Sequence, residues 1–296
     1  MENISKEHQK FKDPGFGTLY VVGTPIGNLE DITLRAIKTL KYVDLIAAEN
    51  TNHSKRLCNH YGIKTKLISY NQHNSRTRAP ELVNKLINGF NIALITSAGT
   101  PVLSDPGTVL INTALNKKIK VSPVPGPSAA IASISVCGLK VDRFLFQGFL
   151  SNKPGKRKKE LMDLTDENKT MIFYEAPHRI RSTLMDINDI MGERHIVILR
   201  ELTKIHEEIM MGNASSLLQE LDEDKIKGEF TIIVSGSEET KKDQLLDDIT
   251  KEKIKKLINE GGMGVKKIAI QLSQNSNINY RKIYKEALRV KNETSV

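Results

Sequence analysis

Short apolar runs alternate with amphipathic stretches through the first half of the chain. Strands are predicted at the apolar runs 19–22, 43–48, 66–69 and 92–96. Helical spacing follows residue 28 and recurs near 54–61 and at 79–88. This alternation is typical of a parallel sheet whose helices connect neighbouring strands, so we predict an N-terminal α/β domain over residues 17–126. Residues 1–16 are polar and are predicted to form a flexible tail.

From residue 127 the apolar runs suit strands that pair antiparallel. They lie at 144–149, 171–174, 196–199, 206–211 and 230–234. Helical spacing is found between them at 128–136, 157–164, 177–190 and 215–221. The pattern therefore predicts a second α/β domain with a mixed sheet over residues 127–236.

A polar linker begins at residue 237, and three sets of apolar residues at helical spacing follow it. The sets are Ile254, Leu257 and Ile258, then Val265, Ile268, Ala269 and Leu272, then Tyr280, Ile283, Tyr284, Ala287 and Leu288. They predict a small helical C-terminal module over residues 237–296, similar to a helix-turn-helix unit. Two interpretations stay open. Either its basic side chains, such as Lys266, Lys267, Arg281 and Lys282, contact phosphates, or the module is a cap packed on the core.

Four turns rich in glycine and proline lie at or near the ends of apolar runs, at 23–28, 98–101, 105–107 and 125–128. In open α/β sheets, ligands bind outside the carboxyl ends of the strands. Glycine lets backbone amides approach a ligand, and proline makes the loop rigid. The turns are therefore predicted to be ligand-binding loops, and for any single one an ordinary tight turn is the alternative.

Charge indicates the kind of partner. Lys and Arg outnumber Asp and Glu by 44 to 35, which gives a net charge of +9. The excess is concentrated at residues 153–159 and in the last 56 residues, which hold 13 basic and 7 acidic side chains. Such a field favours polyanions, because Lys and Arg that neutralise phosphates release counterions. A solvated surface is the alternative.

Several classes of protein are disfavoured. The two cysteines, Cys58 and Cys137, have no disulfide or zinc spacing and are predicted to be buried, and no cluster of metal ligands is found. No phosphate-binding P-loop occurs, and Gly15-Phe16-Gly17 precedes the first strand rather than following one. No apolar stretch approaches the roughly 20 residues that span a bilayer. A cytoplasmic protein without a metal is predicted.

Seven motifs in one order carry a family resemblance. They are GTPIGNLEDIT at 23–33, AAE at 47–49, AGTP at 98–101, SDPG at 104–107, PGPSA at 125–129, FYEAPHR at 173–179 and RELTK at 200–204. Together they resemble the small-subunit ribosomal RNA 2'-O-ribose cytidine methyltransferases, a branch of the tetrapyrrole methylase superfamily. The resemblance covers about residues 17–236, and the basic C-terminal tail also looks like that branch.

The resemblance implies a two-lobed tetrapyrrole methylase-like (class III methyltransferase) fold with S-adenosylmethionine held between the lobes. It further implies a homodimer that methylates a decoding-region cytidine in 16S rRNA, on the small ribosomal subunit. The cofactor residues implied by it are Pro25, Ala98, Gly99, Thr100, Pro101, Ser128, Ala129 and Tyr174.

Methyl transfer to a ribose hydroxyl needs an aligned acceptor and a group that removes its proton. The candidates are Glu49, Glu175, His178, Glu201 and Lys204. The candidates for RNA contact are Lys153, Lys156, Arg157 and Lys158 in the basic run, together with Arg179. A structural ion-pair network between strand ends is the alternative for these charged residues, and the sequence leaves the base unassigned.

The chain departs from the family pattern in two loops. The family commonly has Asp and Arg where this chain has Asn50 and Asn52, and Asp where this chain has Ser97. Two carboxylates and one guanidinium are therefore missing near the expected site. An active enzyme is predicted, and two alternatives stay open: a weakened relative that only binds nucleic acid, and a methylase of a tetrapyrrole or other small acceptor.

Overall fold

A computed structural model describes residues 15–221, 226–237, 246–274, 276, 278 and 280–294. The chain divides into two compact units. The first runs to Ala132 and includes Leu202–Ile205; the second comprises Ser133–Glu201 and the chain from His206 onward. Across the described ranges, every helix is too short or too polar to cross a membrane. Cys58 and Cys137 are buried free thiols, as predicted.

The first unit is built on a parallel sheet. Its described strands are β1 (Leu19–Val22), β2 (Leu45–Ala48), β3 (Leu67–Ser69), β4 (Ile92–Ile95) and β5 (Val121–Val124), in the order β3-β2-β4-β1-β5. All of their pairings are parallel. This confirms the predicted parallel α/β architecture, since each strand returns through a crossover.

Helices of the first unit follow the strands. They are α1 (Leu34–Tyr42), α2 (Thr51–His60), α3 (Ser75–Ile87), α4 (Thr108–Asn116) and α5 (Ala129–Val136), which begins in this unit. The sheet is covered on both faces by separate apolar clusters, one around Leu94 and one around Ile46. The apolar spacing did not reveal α4, because only Leu110 and Ala114 of this short helix are buried.

The second unit contains a mixed sheet. Its described strands are β6 (Phe144–Phe149), β7 (Thr170–Glu175), β8 (His195–Arg200), β9 (Glu208–Asn213) and β10 (Phe230–Val234), in the order β6-β7-β10-β8-β9. β6 and β7 pair parallel, and the other pairs are antiparallel. The mixed sheet is thus confirmed. One face carries an apolar core with α6 (Pro154–Asp163), α7 (Ile180–Met191) and α8 (Ala214–Glu220).

Three C-terminal helices complete the second unit: α9 (Asp248–Asn259), α10 (Val265–Gln274) and α11 (Tyr280–Thr294). They bury a small apolar core of their own that includes Ile254, Ala269 and Ile283. The predicted helical module is therefore confirmed. Its first helix begins where the Asp247 carboxylate accepts a hydrogen bond from Thr250 N at 2.7 Å, a typical N-cap.

Candidate functional site

Two of the predicted loops are joined at the carboxyl end of the first sheet. Thr24 N donates to Gly99 O at 2.9 Å, and Gly99 N donates to Thr24 O at 3.1 Å. The buried Thr24 hydroxyl donates to Thr96 O at 3.2 Å. These bonds hold Pro25 and the loop at residues 98–101 at the carboxyl ends of β1 and β4.

The loop after β5 packs against the same end of the sheet. A Cβ on Gly126 would lie 2.8 Å from the carbonyl oxygen of Gly23, so this approach requires glycine at both positions. The Thr100 hydroxyl also donates to Pro127 O at 3.1 Å. The loops at residues 23–28, 98–101 and 125–128, predicted separately from sequence, therefore form one cluster within the first unit.

An open cleft of about 460 Å³ lies against this loop cluster. Its lining residues are Ile26, Asp31, Thr33, Pro125, Gly126, Pro127, Ser128, Ala132 and Thr203. All of them belong to the first unit, including Thr203 from the segment after β8. Of the predicted cofactor residues, Ser128 lines this cleft and Ala129 is its chain neighbour at the start of α5.

Ser128 carries a buried polar atom that lacks a partner. Its carbonyl accepts a hydrogen bond from Ala132 N at 2.9 Å, which places Ser128 at the N-cap position of α5. A serine there usually turns its hydroxyl back to the helix, but this Oγ has no hydrogen-bond partner among the described residues. An unsatisfied buried hydroxyl costs free energy, so a polar ligand group in the cleft would stabilise the site.

Two carboxylates lie near each other beyond the carboxyl ends of β2 and β4. Glu49 Oε2 accepts hydrogen bonds from Ser97 N at 3.0 Å and from Ser97 Oγ at 2.7 Å. Asp105, in the following loop, is half-buried near Glu49 and bonded to the Thr96 side chain. Burial, and then the charge of Glu49, raise the pKa of Asp105 to about 6, against a smaller lowering by Thr96. Asp105 therefore changes charge close to neutral pH.

Replacing Asp105 by Asn should make stability less dependent on pH. A raised pKa in the folded state means that the fold favours the protonated carboxyl, so the wild type loses stability as pH rises from about 4 through 6. We expect Asp105→Asn to be more stable than wild type by about 1 kcal/mol at pH 8, after allowance for solvent screening, and equal to it below pH 4. Urea unfolding at both pH values measures this, and equal gains at both would contradict it.

Glu175 lies in the interior of the second unit and is only 2% exposed. Its carboxylate accepts hydrogen bonds from Thr183 Oγ1 at 2.6 Å and Ala176 N at 2.8 Å, and it pairs with Arg179 at 3.0 Å. Arg179 Nη2 also donates to Leu150 O at 2.7 Å. The structure therefore favours the ion-pair alternative for Glu175 and Arg179. Tyr174 lies beside Phe146 and Phe149, with ring centroids 5.1 and 5.5 Å away.

The segment after β8 holds Glu201 and Lys204. Glu201 Oε1 accepts from Glu229 N at 2.9 Å within the second unit. Thr203 has a φ of +66°, which is strained for a β-branched residue, and its hydroxyl accepts from Asn28 N at 3.0 Å. Lys204 lies against Gly27, where an added Cβ would be 2.6 Å from Lys204 Cγ. The segment thus supplies Thr203, rather than a carboxylate, to the cleft.

The basic run divides between surface and interior. Lys153 and Lys156 are exposed at the start of α6. Arg157 is buried, with its Nη2 2.7 Å from Asp186 Oδ2, and Lys158 Nζ lies 2.8 Å from the other oxygen of the same carboxylate. Burial leaves the Arg157 guanidinium no open face toward RNA, so we assign it to the ion pair instead. The helical period explains this, because Arg157 lies on the same face as the buried Leu161.

The departures from the family pattern have local explanations. The Asn50 side chain is the N-cap of α2 and accepts hydrogen bonds from Asn52 N and His53 N, both at 3.1 Å. An amide oxygen serves this role as a carboxylate does. Ser97 donates to Glu49, which an ionised Asp could not do. Both residues therefore have defined hydrogen-bond roles in these loops, with less negative charge than two carboxylates would bring.

Sequence reasoning missed four residues of this region. Asp31, Thr33 and Thr203 line the cleft, and Asp105 lies beside Glu49. Each stands inside a motif that carried the resemblance, which was the only signal available. Their grouping depends on contacts between distant parts of the chain. Among the described residues, His, Cys, Asp and Glu do not form a group of three that could hold a metal.

Comparison with known proteins agrees with this fold. The family model of the tetrapyrrole (corrin/porphyrin) methylases matches residues 18–218. A protein of Halalkalibacterium halodurans named ribosomal RNA small subunit methyltransferase I is 47% identical over 75% of this chain and 77% of its own length. One of the same name from Synechocystis is 40% identical over 93% of this chain and 98% of its own.

The solved structures agree at the level of the fold. Uroporphyrin-III-C-methyltransferase from Thermus thermophilus superposes with a TM-score of 0.53 at 18% identity, over 74% of this chain and 94% of that protein. The family model spans more than half of the chain, and the full-length relatives extend through most of the remainder. The chain therefore belongs to the tetrapyrrole (corrin/porphyrin) methylase family, in the branch of the ribosomal RNA small subunit methyltransferases I.

Proposed function

We propose that this protein methylates the 2'-hydroxyl of a decoding-region cytidine in 16S rRNA, acting as a homodimer on the small ribosomal subunit. The names of its relatives, at 40–47% identity over most of the chain, support an rRNA acceptor. The observation that carries the ligand site is the unpartnered, buried Ser128 hydroxyl in the cleft of the first unit.

S-adenosylmethionine supplies the methyl group, which it carries on a positively charged sulfonium. The residues present fit such a ligand, because the cleft offers an unsatisfied hydroxyl beside apolar Ile26 and rigid proline loops. Ser128 and the 125–128 turn would hold it, with Ala129 at the start of α5. We propose that Pro25 and residues 98–101 support these contacts, since the hydrogen bonds of Thr24 with Gly99 and of Thr100 with Pro127 fix the loops around them.

A carboxylate in the loop after β4 would remove the proton of the acceptor hydroxyl. Asp105, with its pKa of about 6, is ionised at neutral pH yet basic enough to accept a proton. Burial, and then the charge of Glu49, keep the pKa of Asp105 high, and Ser97 holds Glu49 in place. We therefore assign the proton acceptor to Asp105 with Glu49 as its positioning neighbour, and give Glu175 a structural role.

The test is transfer of labelled methyl to small ribosomal subunits that lack this modification, followed by mapping of the alkali-resistant nucleotide. Label at a single cytidine supports the proposal. Label on a tetrapyrrole instead would establish the small-acceptor alternative. Tight binding of donor and subunit without transfer would establish the weakened, nucleic-acid-binding alternative.

Ser128→Ala should weaken donor binding without disturbing the fold. Loss of one hydrogen bond to a ligand corresponds to about 1–2 kcal/mol, or roughly 5- to 30-fold in Kd. Isothermal titration with S-adenosylmethionine measures it. Ser104→Ala, an exposed serine in the loop before Asp105, is the matched control and should bind as wild type does. Unchanged affinity in Ser128→Ala would place the donor elsewhere.

A further inference from the structure

The second unit brings the basic run of α6 next to the start of α10. The side chains of Lys158 and Lys266 are within hydrogen-bond range of each other, although both are cations. Two carboxylates of α7 lie close to both of them: Asp186, 2.8 Å from Lys158 Nζ, and Asp189. We call these four residues the lysine–aspartate layer. The layer joins α6, α7 and α10, because the carboxylates of Asp186 and Asp189 offset the repulsion between the two ammonium groups.

Apolar packing supports the same docking. Met162, one turn beyond Lys158, contacts both the core of the second sheet and the core of the C-terminal helices. Tyr280, at the start of α11, is buried. Its pKa is raised by burial, then by Tyr284 and then by the charge of Asp189. The C-terminal helices therefore contact α6 and α7 at these points. Packing on the core, one of the two interpretations of this module, is supported, and it leaves Lys267 of α10 exposed.

This packing also has a consequence for the surface. Lys159 and Lys267 are the chain neighbours of the two contacting lysines, and both are exposed. Lys153 and Lys156 are exposed at the start of the same α6. Exposed lysines therefore neighbour this contact, in sequence, on both α6 and α10. Asp186 is paired with Arg157 and Lys158 rather than with the outer lysines.

We propose that the exposed lysines of α6 and α10 form one binding surface for the phosphate backbone of rRNA, which the lysine–aspartate layer holds in shape. This rests on the proposed function, and it adds that RNA is gripped jointly by the basic run and the C-terminal helices. Of the two tyrosines in α11, Tyr280 is buried and Tyr284 is half-buried, so neither presents a fully exposed ring. The surface therefore positions backbone without stacking on bases.

The experiment measures binding of the full-length protein to small ribosomal subunits at several salt concentrations. Each lysine that neutralises a phosphate contributes about one to the slope of log K against log salt. We expect Lys159→Gln with Lys267→Gln to lower that slope by about two and to weaken binding about 30-fold at 0.1 M salt. Each single variant should give about half of the logarithmic effect.

The matched control is Lys64→Gln with Lys117→Gln. These exposed lysines precede β3 and β5, at the opposite end of the first sheet from the loop cluster. The control should bind as wild type does, and circular dichroism should show both double variants folded. Equal slopes for the two double variants would overturn the proposed surface. Failure of methyl transfer by the wild type would instead overturn the proposed function, since the salt slope is measured without turnover.

Discussion

Arg157→Met is expected to lower the free energy of unfolding by about 3 kcal/mol. Arg157 and Asp186 are each only 5% exposed and lie 2.7 Å apart, so removal of the guanidinium leaves a buried carboxylate with Lys158 as its remaining partner. Breaking a buried pair from one side typically costs 3–5 kcal/mol, and Lys158 keeps the loss at the lower end. Thermal unfolding should show a Tm lower by about 6–12 °C.

The neighbouring Lys156→Met is the control, because Lys156 is exposed on the same helix and should change stability by less than about 0.5 kcal/mol. Pairing Arg157→Met with Asp186→Leu should recover much of the loss, since the carboxylate is then no longer buried alone. If Arg157 contacted RNA instead, its replacement would weaken subunit binding and leave Tm unchanged. That result would contradict the structural assignment.

The fold could be predicted because its signals are local. Strands such as β1 and β4 are short apolar runs bounded by turns, and they can be recognised without knowledge of their partners. The starts of helices were less accurate. α3 begins at Ser75 rather than near 79, because its first turn is polar and has no apolar stripe. The order of the strands was not predicted and is known from the structure, since strand pairing depends on contacts between distant residues.

The site was predicted only in part for a related reason. Glycine and proline marked the loops, and the contact of Gly23 with Gly126 shows why those residues are required. Charged residues gave no comparable signal. Glu175 is the last residue of a strand and Glu49 directly follows one, yet Glu175 is enclosed by Thr183 and Arg179 whereas Glu49 lies near Asp105. The difference between these two glutamates lies in the side chains that surround each of them, and those surroundings exist only in the folded chain.

The same Asp105→Asn variant that gains stability above pH 6 should lose activity. We expect kcat for methyl transfer to fall 100- to 10,000-fold, which is the usual contribution of a positioned base. Stability and activity would then change in opposite directions, as is common where a fold maintains a destabilising charge for its function. Single-turnover transfer to small ribosomal subunits measures the loss, and donor affinity should remain that of wild type.

The pH profile distinguishes the proton acceptor from a residue that only shapes the loop. Wild-type kcat/KM should rise along an acid limb centred near pH 6, the pKa of Asp105 in the free protein. Burial is the larger cause of this raised pKa, and Glu49→Gln removes the second cause, so the limb should move part of the way to lower pH with a smaller loss of rate. Ser97→Asp adds a negative charge beside Glu49 and should move the acid limb of the profile to higher pH. A limb that stays fixed in both variants would assign proton removal to another group, because neither change could leave the titration of Asp105 unaltered.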